Sequence, residues 1–157
     1  MAPEKKDVHM LFHKPRLMIA ALRGGSGKTV VSLGLASAWR RFKGLQVIAF
    51  KKGPDYIDAG WLGAAVRHPC YNLDPFLMTP NQMLDSFVYR SMKGDVGIIE
   101  GNRGLYDGVD VEGSCSTAEL AKLLRCPVIL VVDATKVTRT AAAMVSGCRH
   151  MDEEVNL

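Results

Sequence analysis

The chain has 157 residues, close to one domain by the usual span of about 100–200 residues, which excludes a large multidomain enzyme within this sequence. Its 48% hydrophobic and 23% charged residues give an ordinary globular balance, so disordered and fibrous classes drop out. Lys and Arg outnumber Asp and Glu by 20 to 16, a formal net charge of +4 without a block of like charges; anionic ligands are favoured and a nucleic-acid partner is not expected.

Cys70, Cys115, Cys126 and Cys148 stand too far apart for a zinc site or a redox pair and are expected as reduced thiols in a cytoplasmic protein. The apolar run Leu17 to Leu22 is too short for a signal-peptide core or a membrane span, and Glu4 and Asp7 speak against a transit peptide, so no membrane association is expected. His9, His13, His68 and His150 show no ligand spacing, and no metal is assigned to them.

Short β-rich apolar runs alternate with helix-like segments, the pattern of a parallel sheet. Arg16 to Ala21 predicts the first strand. Gly27 to Phe42 predicts a helix, with Val30, Val31, Leu33, Leu35, Ala38 and Trp39 apolar and Gly44 as its stop. Val47 to Lys51 is the second strand, and the stretch after it, rich in Gly, Pro and Asp, reads as irregular. Thr79 as cap and Pro80 in the first turn open a helix to about Met92, and Val96 to Glu100 is the third strand.

Ser116, Thr117, Ala118 and Glu119 form a capping-box pattern that opens a helix to about Leu124. Pro127 to Val132 reads as a buried central strand, Arg139 to Gly147 as a helix, and Val155 to Leu157 as the opening of a further strand. A parallel strand cut after three residues leaves its neighbours uncovered, so the sequence reads as part of a longer protein. Trp39 and Trp61 are expected to pack rather than to stack on bases.

Arg23-Gly24-Gly25-Ser26-Gly27-Lys28-Thr29 joins the first strand to the first helix. Glycines let the backbone curl so that its N–H groups surround phosphate oxygens, and the helix N-terminus adds a positive dipole. Lys28 is expected on the β/γ-phosphates and Thr29 on a magnesium ion, although Leu22 replaces the first glycine of the strict pattern.

Lys51-Lys52-Gly53-Pro54-Asp55-Tyr56-Ile57-Asp58 follows the second strand at the sheet edge where ligands of parallel sheets collect. A lysine there can hold a carboxylate or a transferring phosphoryl group, and Asp55 or Asp58 can hold magnesium or orient a nucleophile. Glu100 ends an apolar strand, the position of the second magnesium anchor in phosphate-loop enzymes. Asp107 lies in a loop where a turn Asp-Gly is an equal reading, and for Asp133, Arg139 and Thr140 helix capping is the plainer one.

Gly-Ser-Gly-Lys-Thr (25–29), Phe-Lys-Lys-Gly-Pro-Asp-Tyr-Ile-Asp (50–58), Asn-Leu-Asp (72–74), Glu-Gly-Asn-Arg-Gly-Leu-Tyr-Asp-Gly (100–108) and Ser-Thr-Ala-Glu-Leu-Ala-Lys (116–122) running into Pro-Val-Ile-Leu-Val-Val-Asp-Ala (127–134) form an ordered set. This set resembles the N-terminal synthetase domain of the cobyrinic or hydrogenobyrinic acid a,c-diamide synthase family. The resemblance spans residues 16–157 and leaves 1–15 as an N-terminal extension. It implies an α/β phosphate-loop NTPase fold, an open, mostly parallel sheet flanked by helices as in dethiobiotin synthetase. It further implies a homodimer that uses ATP and Mg2+ to phosphorylate the a and c acetate carboxylates of a corrinoid in cobalamin biosynthesis. Ammonia, released from glutamine by a C-terminal amidotransferase domain outside this chain, then displaces the phosphate.

By the same resemblance Gly24, Gly25, Ser26, Gly27, Lys28 and Thr29 bind nucleotide, and Thr29, Asp55 and Glu100 hold the metal. Lys51 contacts the phosphoryl group or carboxylate, so that Lys28, Lys51, Asp55, Glu100 and Asp107 form the catalytic set. Tyr56, Ile57, Asp58, Tyr106 and Asp107 face the substrate and order the two amidations. Three alternatives stay open: nickel sirohydrochlorin as the macrocycle, a dimeric switch ATPase of the partition or nitrogenase-iron-protein type, or a non-catalytic remnant that binds nucleotide weakly or fails to fold. Arg23 stands where the switch ATPases carry a signature lysine and is expected to contact nucleotide within or across a subunit.

Overall fold

A computed structural model describes residues 14–157. Most of the expected N-terminal extension (1–13), with Glu4, Asp7, His9 and His13, lies outside the described residues.

Five strands form one sheet: β1 (Arg16–Ala21), β2 (Val47–Lys52), β3 (Tyr71–Leu73), β4 (Val96–Glu100) and β5 (Val128–Val131). Every pairing is parallel and the spatial order is β3-β2-β4-β1-β5. The flanking helices are α1 (Lys28–Lys43), α2 (Ile57–Val66), α3 (Pro80–Ser91), α4 (Thr117–Leu123) and α5 (Arg139–Met151). This is the expected α/β, parallel-sheet architecture. Among the described residues no helix is long and apolar enough to cross a membrane.

Successive strand side chains point to opposite faces, so each strand feeds two cores. Met18, Ala20, Ile48, Phe50 and Ile99 meet Met83, Leu84, Phe87 and Val88 of α3, with Leu120 and Ala121 of α4, on one face. Ile19, Val47, Ala49 and Ile98 meet Ala36 of α1 and Leu62 and Val66 of α2 on the other. Burial on both faces accounts for the continuous apolar runs in the sequence.

Helix ends follow local chemistry. Gly27 caps α1 at φ 92° and Gly44 ends it at φ 66°, both left-handed conformations that a side chain would strain. Thr79 and Gln82 form a reciprocal capping box at α3, behind Pro80. At α4 only half of the expected box forms: Ser116 Oγ accepts from the Glu119 N–H, while the Glu119 carboxylate turns outward to Lys122 Nζ at 2.8 Å.

The stretch after β2 is not irregular throughout, because it contains α2 and β3. Its helix, Ile-Asp-Ala-Gly-Trp-Leu-Gly-Ala-Ala-Val, has two glycines and no clean apolar stripe, and the three residues of β3 are a strand only because they pair with Phe50, Lys51 and Lys52. β5 is not central: among the described strands it pairs with β1 alone, and Ile129 is 42% exposed. Val155 to Leu157 forms no strand, although the Asn156 carbonyl accepts from the Val128 N–H at 2.8 Å and Val155 is buried. Trp39 packs on the second core as expected, whereas Trp61 is exposed. All four cysteines are free thiols.

The Phe87 ring is fully buried, 4.9 Å from the Phe50 ring, and lies over Gly97. Phe87→Ala is expected to cost about 3–5 kcal/mol of stability, read as a lower urea midpoint at unchanged slope.

Candidate functional site

In the sheet order β1, β4 and β2 are adjacent, so the loops leaving their C-terminal ends converge although they are far apart in sequence. The register fixes the meeting point: Glu100 lies opposite Ile19 on one side and Lys51 on the other.

The loop after β1 turns through Gly25 at φ 74° and Gly27 at φ 92°, and a Cβ built on Gly24, Gly25 or Gly27 meets no atom within 4 Å. The loop is thus an open cradle leading into the N-terminus of a 16-residue helix, the arrangement that binds phosphate. Lys28, first in that helix, is buried, and its Nζ donates to the carbonyls of Arg103 (2.8 Å) and Arg23 (3.4 Å). Burial, followed by the nearby Lys51, pulls its ammonium below the ordinary lysine value, and Glu100 works against that fall. Ser26 Oγ donates to the Arg23 carbonyl at 3.1 Å, closing the loop on itself.

Thr29 Oγ1 donates to Glu100 Oε1 at 2.8 Å, joining the phosphate loop to β4. The same carboxylate oxygen accepts from Lys51 Nζ at 2.9 Å, and Lys51 also donates to the Gly101 carbonyl at 3.1 Å. Asp58 Oδ2 lies 3.2 Å and Asp55 Oδ2 3.8 Å from the same ammonium. Lys51 and Glu100 are each 1% exposed, so this is a buried ion pair with a half-exposed acidic rim. Glu100 Oε2 is buried and has no hydrogen-bond partner.

Asp55 Oδ1 accepts from the Asp58 N–H at 3.0 Å and fixes the entry to α2. Asn72 of β3 donates from Nδ2 to the carbonyls of Gly53 and Asp55, pinning the Gly-Pro-Asp turn above the sheet. The structure therefore brings Lys28, Thr29, Lys51, Asp55, Asp58 and Glu100 into one cluster. Tyr56 and Ile57 project into solvent at its rim.

Tyr106 is not part of the cluster, because its hydroxyl donates to the Cys148 carbonyl of α5 at 2.7 Å. Asp107 Oδ2 accepts from the Gly104 N–H at 2.8 Å, which is the turn role that residue type alone left open, and its side chain borders a cavity of about 640 Å3. Arg23 contacts Asp133 beyond the end of β5, NH2 to Oδ2 at 3.0 Å, a bond within one chain.

The model of the CobQ/CobB/MinD/ParA nucleotide binding domain matches residues 17–154. The chain belongs to this family. Among curated relatives of this nucleotide-binding chain, it is 50% identical over 141 residues to cobyrinate a,c-diamide synthase of Magnetococcus marinus, which covers 90% of this chain and 30% of that protein. It is 46% identical over 144 residues to hydrogenobyrinate a,c-diamide synthase of Streptomyces coelicolor, 91% of this chain and 29% of that protein. It is 42% identical over 144 residues to cobyrinate a,c-diamide synthase of Dehalococcoides mccartyi, again 91% of this chain, and 31% of that protein. The chain thus spans about 30% of the length of these relatives.

Three residues of this nucleotide-binding domain escaped assignment from sequence. Asn72 works through two backbone carbonyls that only the fold brings near, and Thr117 clasps the Asn102 backbone from both sides, donating to its carbonyl at 3.1 Å and accepting from its N–H at 3.2 Å. The third, Lys52, was legible only as the neighbour of Lys51, yet it is 8% exposed and lines the 640 Å3 cavity.

Removing one partner of a buried pair strands the other charge. Lys51→Met is expected to destabilise the domain by roughly 3–5 kcal/mol, more than a surface lysine change, in urea melts of both variants.

Proposed function

We propose that the chain is the ATP-binding synthetase part of an amide-forming ligase that acts on the a and c acetate carboxylates of cobyrinate or hydrogenobyrinate. The observation that carries this reading is the continuous contact from Thr29 through Glu100 to Lys51 and Asp58, which couples a phosphate cradle to the lysine-carboxylate cluster beyond β2. The 50% identity to a cobyrinate a,c-diamide synthase supports the substrate.

The chemistry has two displacements. A carboxylate oxygen is a poor leaving group, so it first attacks the γ-phosphorus of ATP, forming an acyl phosphate and releasing ADP. Ammonia then adds to the acyl carbon and inorganic phosphate leaves, the amine losing a proton. Such reactions ask the protein chiefly for positioning and charge neutralisation. Lys28 and the N–H groups of Gly24 to Thr29 hold the triphosphate. Lys51, fixed between Glu100 and Asp58, keeps a positive charge beside the transferring group.

Thr29, Glu100 and Asp55 fit a magnesium ion. They are hard oxygen donors, and Glu100 Oε2 is buried without a partner. Magnesium is commonly held by one or two carboxylates together with phosphate oxygens, so these residues would hold it jointly with the nucleotide. When bound, magnesium neutralises the phosphate charge. In this reading ammonia is taken from glutamine by a further amidotransferase domain, for which relatives about three times this length leave room, and the protein works as a cytoplasmic homodimer.

The test is phosphate release from ATP with Mg2+ and ammonium, with and without cobyrinic acid, together with the mass of the diamide. The macrocycle is expected to stimulate release and the diamide mass to appear. Lys28→Ala and Glu100→Gln should each lower turnover on the order of 100-fold or more. Phosphate release indifferent to the macrocycle, with no amide formed, overturns the ligase reading in favour of a switch ATPase.

A further inference from the structure

Lys51 and Lys52 are neighbours in β2, and strand alternation sends them to opposite faces of the sheet. Lys51 meets Glu100 and Asp58 on the side of α1 and α2. Lys52 goes to the other side, where it lines the 640 Å3 cavity with Arg103, Asp107, Phe76, Leu77 and Val109.

The two lysines differ in what satisfies them. Lys51 has three acceptors within 3.2 Å. Lys52, although 92% buried by its 8% exposure, makes no hydrogen bond or ion pair with any described residue. Burial of the Lys52 side chain pulls its ammonium below the ordinary lysine value, and Asp74 works against that fall. Asp74, the nearest compensating charge, stands beyond ion-pair distance and spends Oδ1 on the Phe76 N–H at 2.9 Å. Asp107 likewise spends Oδ2 on the Gly104 N–H. The acids of the cavity are thus bound to backbone, while the Lys52 ammonium that lines it has no hydrogen-bond partner among the described residues.

The apolar part of the lining is equally unspent. Phe76 is 72% and Leu77 68% exposed, and Val109 is exposed beside them. Large apolar side chains grouped at the mouth of a pocket that holds an unpartnered cation match one ligand class, an amphipathic polycarboxylate whose flat apolar body lies on the rim while a carboxylate enters. The cavity also adjoins the phosphate cradle, since the Arg103 carbonyl accepts from Lys28 Nζ at 2.8 Å.

We infer that Lys52, with Arg103 at the mouth, is the anchor for a non-reacting carboxylate of the macrocyclic substrate, and that Phe76, Leu77 and Val109 form the shelf for its ring. The inference rests on the proposed function for the substrate and adds the subsite that holds it. A fixed second carboxylate orients the ring so that one acetate at a time reaches the phosphate side, where Lys51 stands.

The experiment is calorimetric titration of cobyrinic acid into the protein and into Lys52→Met, Lys52→Arg and Arg103→Gln variants, with ATP titrated in parallel. Lys52→Met is expected to bind cobyrinic acid about 10- to 100-fold more weakly with ATP affinity unchanged, the size of a lost charge-assisted hydrogen bond. Lys52→Arg should recover most of that loss. Arg103→Gln, at an exposed position that does not threaten folding, should weaken the macrocycle by a smaller factor in the same direction. Equal macrocycle affinity in Lys52→Met and wild type overturns the subsite alone. Loss of ATP binding together with the macrocycle also overturns it, since Lys52 would then be a structural residue. A wild-type protein that binds ATP but no cobyrinic acid overturns both the subsite and the proposed function.

Discussion

The Lys51–Glu100 pair carries the site. Two opposite charges that are almost fully out of water are tolerated only when geometry and further hydrogen bonds compensate their desolvation. Here Lys51 Nζ donates to Glu100 Oε1 at 2.9 Å and Gly101 O at 3.1 Å, and Asp58 Oδ2 stands 3.2 Å away as a further ion-pair partner. Glu100 Oε1 takes Thr29 Oγ1 as well, while Oε2 is left over. The pair therefore ties β2, β4, α1 and the first turn of α2 together at one point, and leaves one buried carboxylate oxygen without a hydrogen-bond partner.

That pairing depends in turn on strand order. Motifs after β1, β2 and β4 converge because β4 lies between the other two, and the register sets Lys51 opposite Glu100. A slip of one residue would send Lys51 to the α3 face and Lys52 into the pair. Register is protected by the cores: Phe50 on Phe87 to one side, with Ala49 and Ile48 apportioned between the two.

The same alternation gives the two sides of the sheet edge separate tasks. On the α1 and α2 face are the glycine cradle, Lys28 and Lys51, every cation with its acceptors. On the α3 face is the cavity with Lys52, where the cation has none and apolar side chains stand exposed. A polar network that is complete is rigid, which holds Lys28 and Lys51 in place on the first face. Two adjacent lysines thereby acquire different chemistry from one backbone.

Much of the fold could be read from residues alone. The limits of β1 and β4, the Thr79 and Ser116 caps and the glycine loop before α1 depend on apolar runs and on side chains a few positions away, and those local forces act wherever the chain is. The resemblance carried by the ordered motifs pointed to the family that residues 17–154 match. What sequence could not supply was set by distant contacts. β3 exists through its pairing with β2, α2 has no apolar stripe to announce it, and β5 lies at the edge of the described sheet although its composition resembles a central strand. Tyr106 sits in a recognisable motif yet bonds to α5, and Lys52, with no signal of its own, lines the cavity on the α3 face. The sequence by itself determined the elements and the kinds of chemistry they carry, because propensity, capping and glycine loops are local. Only the tertiary structure decided which carboxylate meets which lysine, because strand order and register join residues about fifty positions apart, as for Lys51 and Glu100, into a single contact.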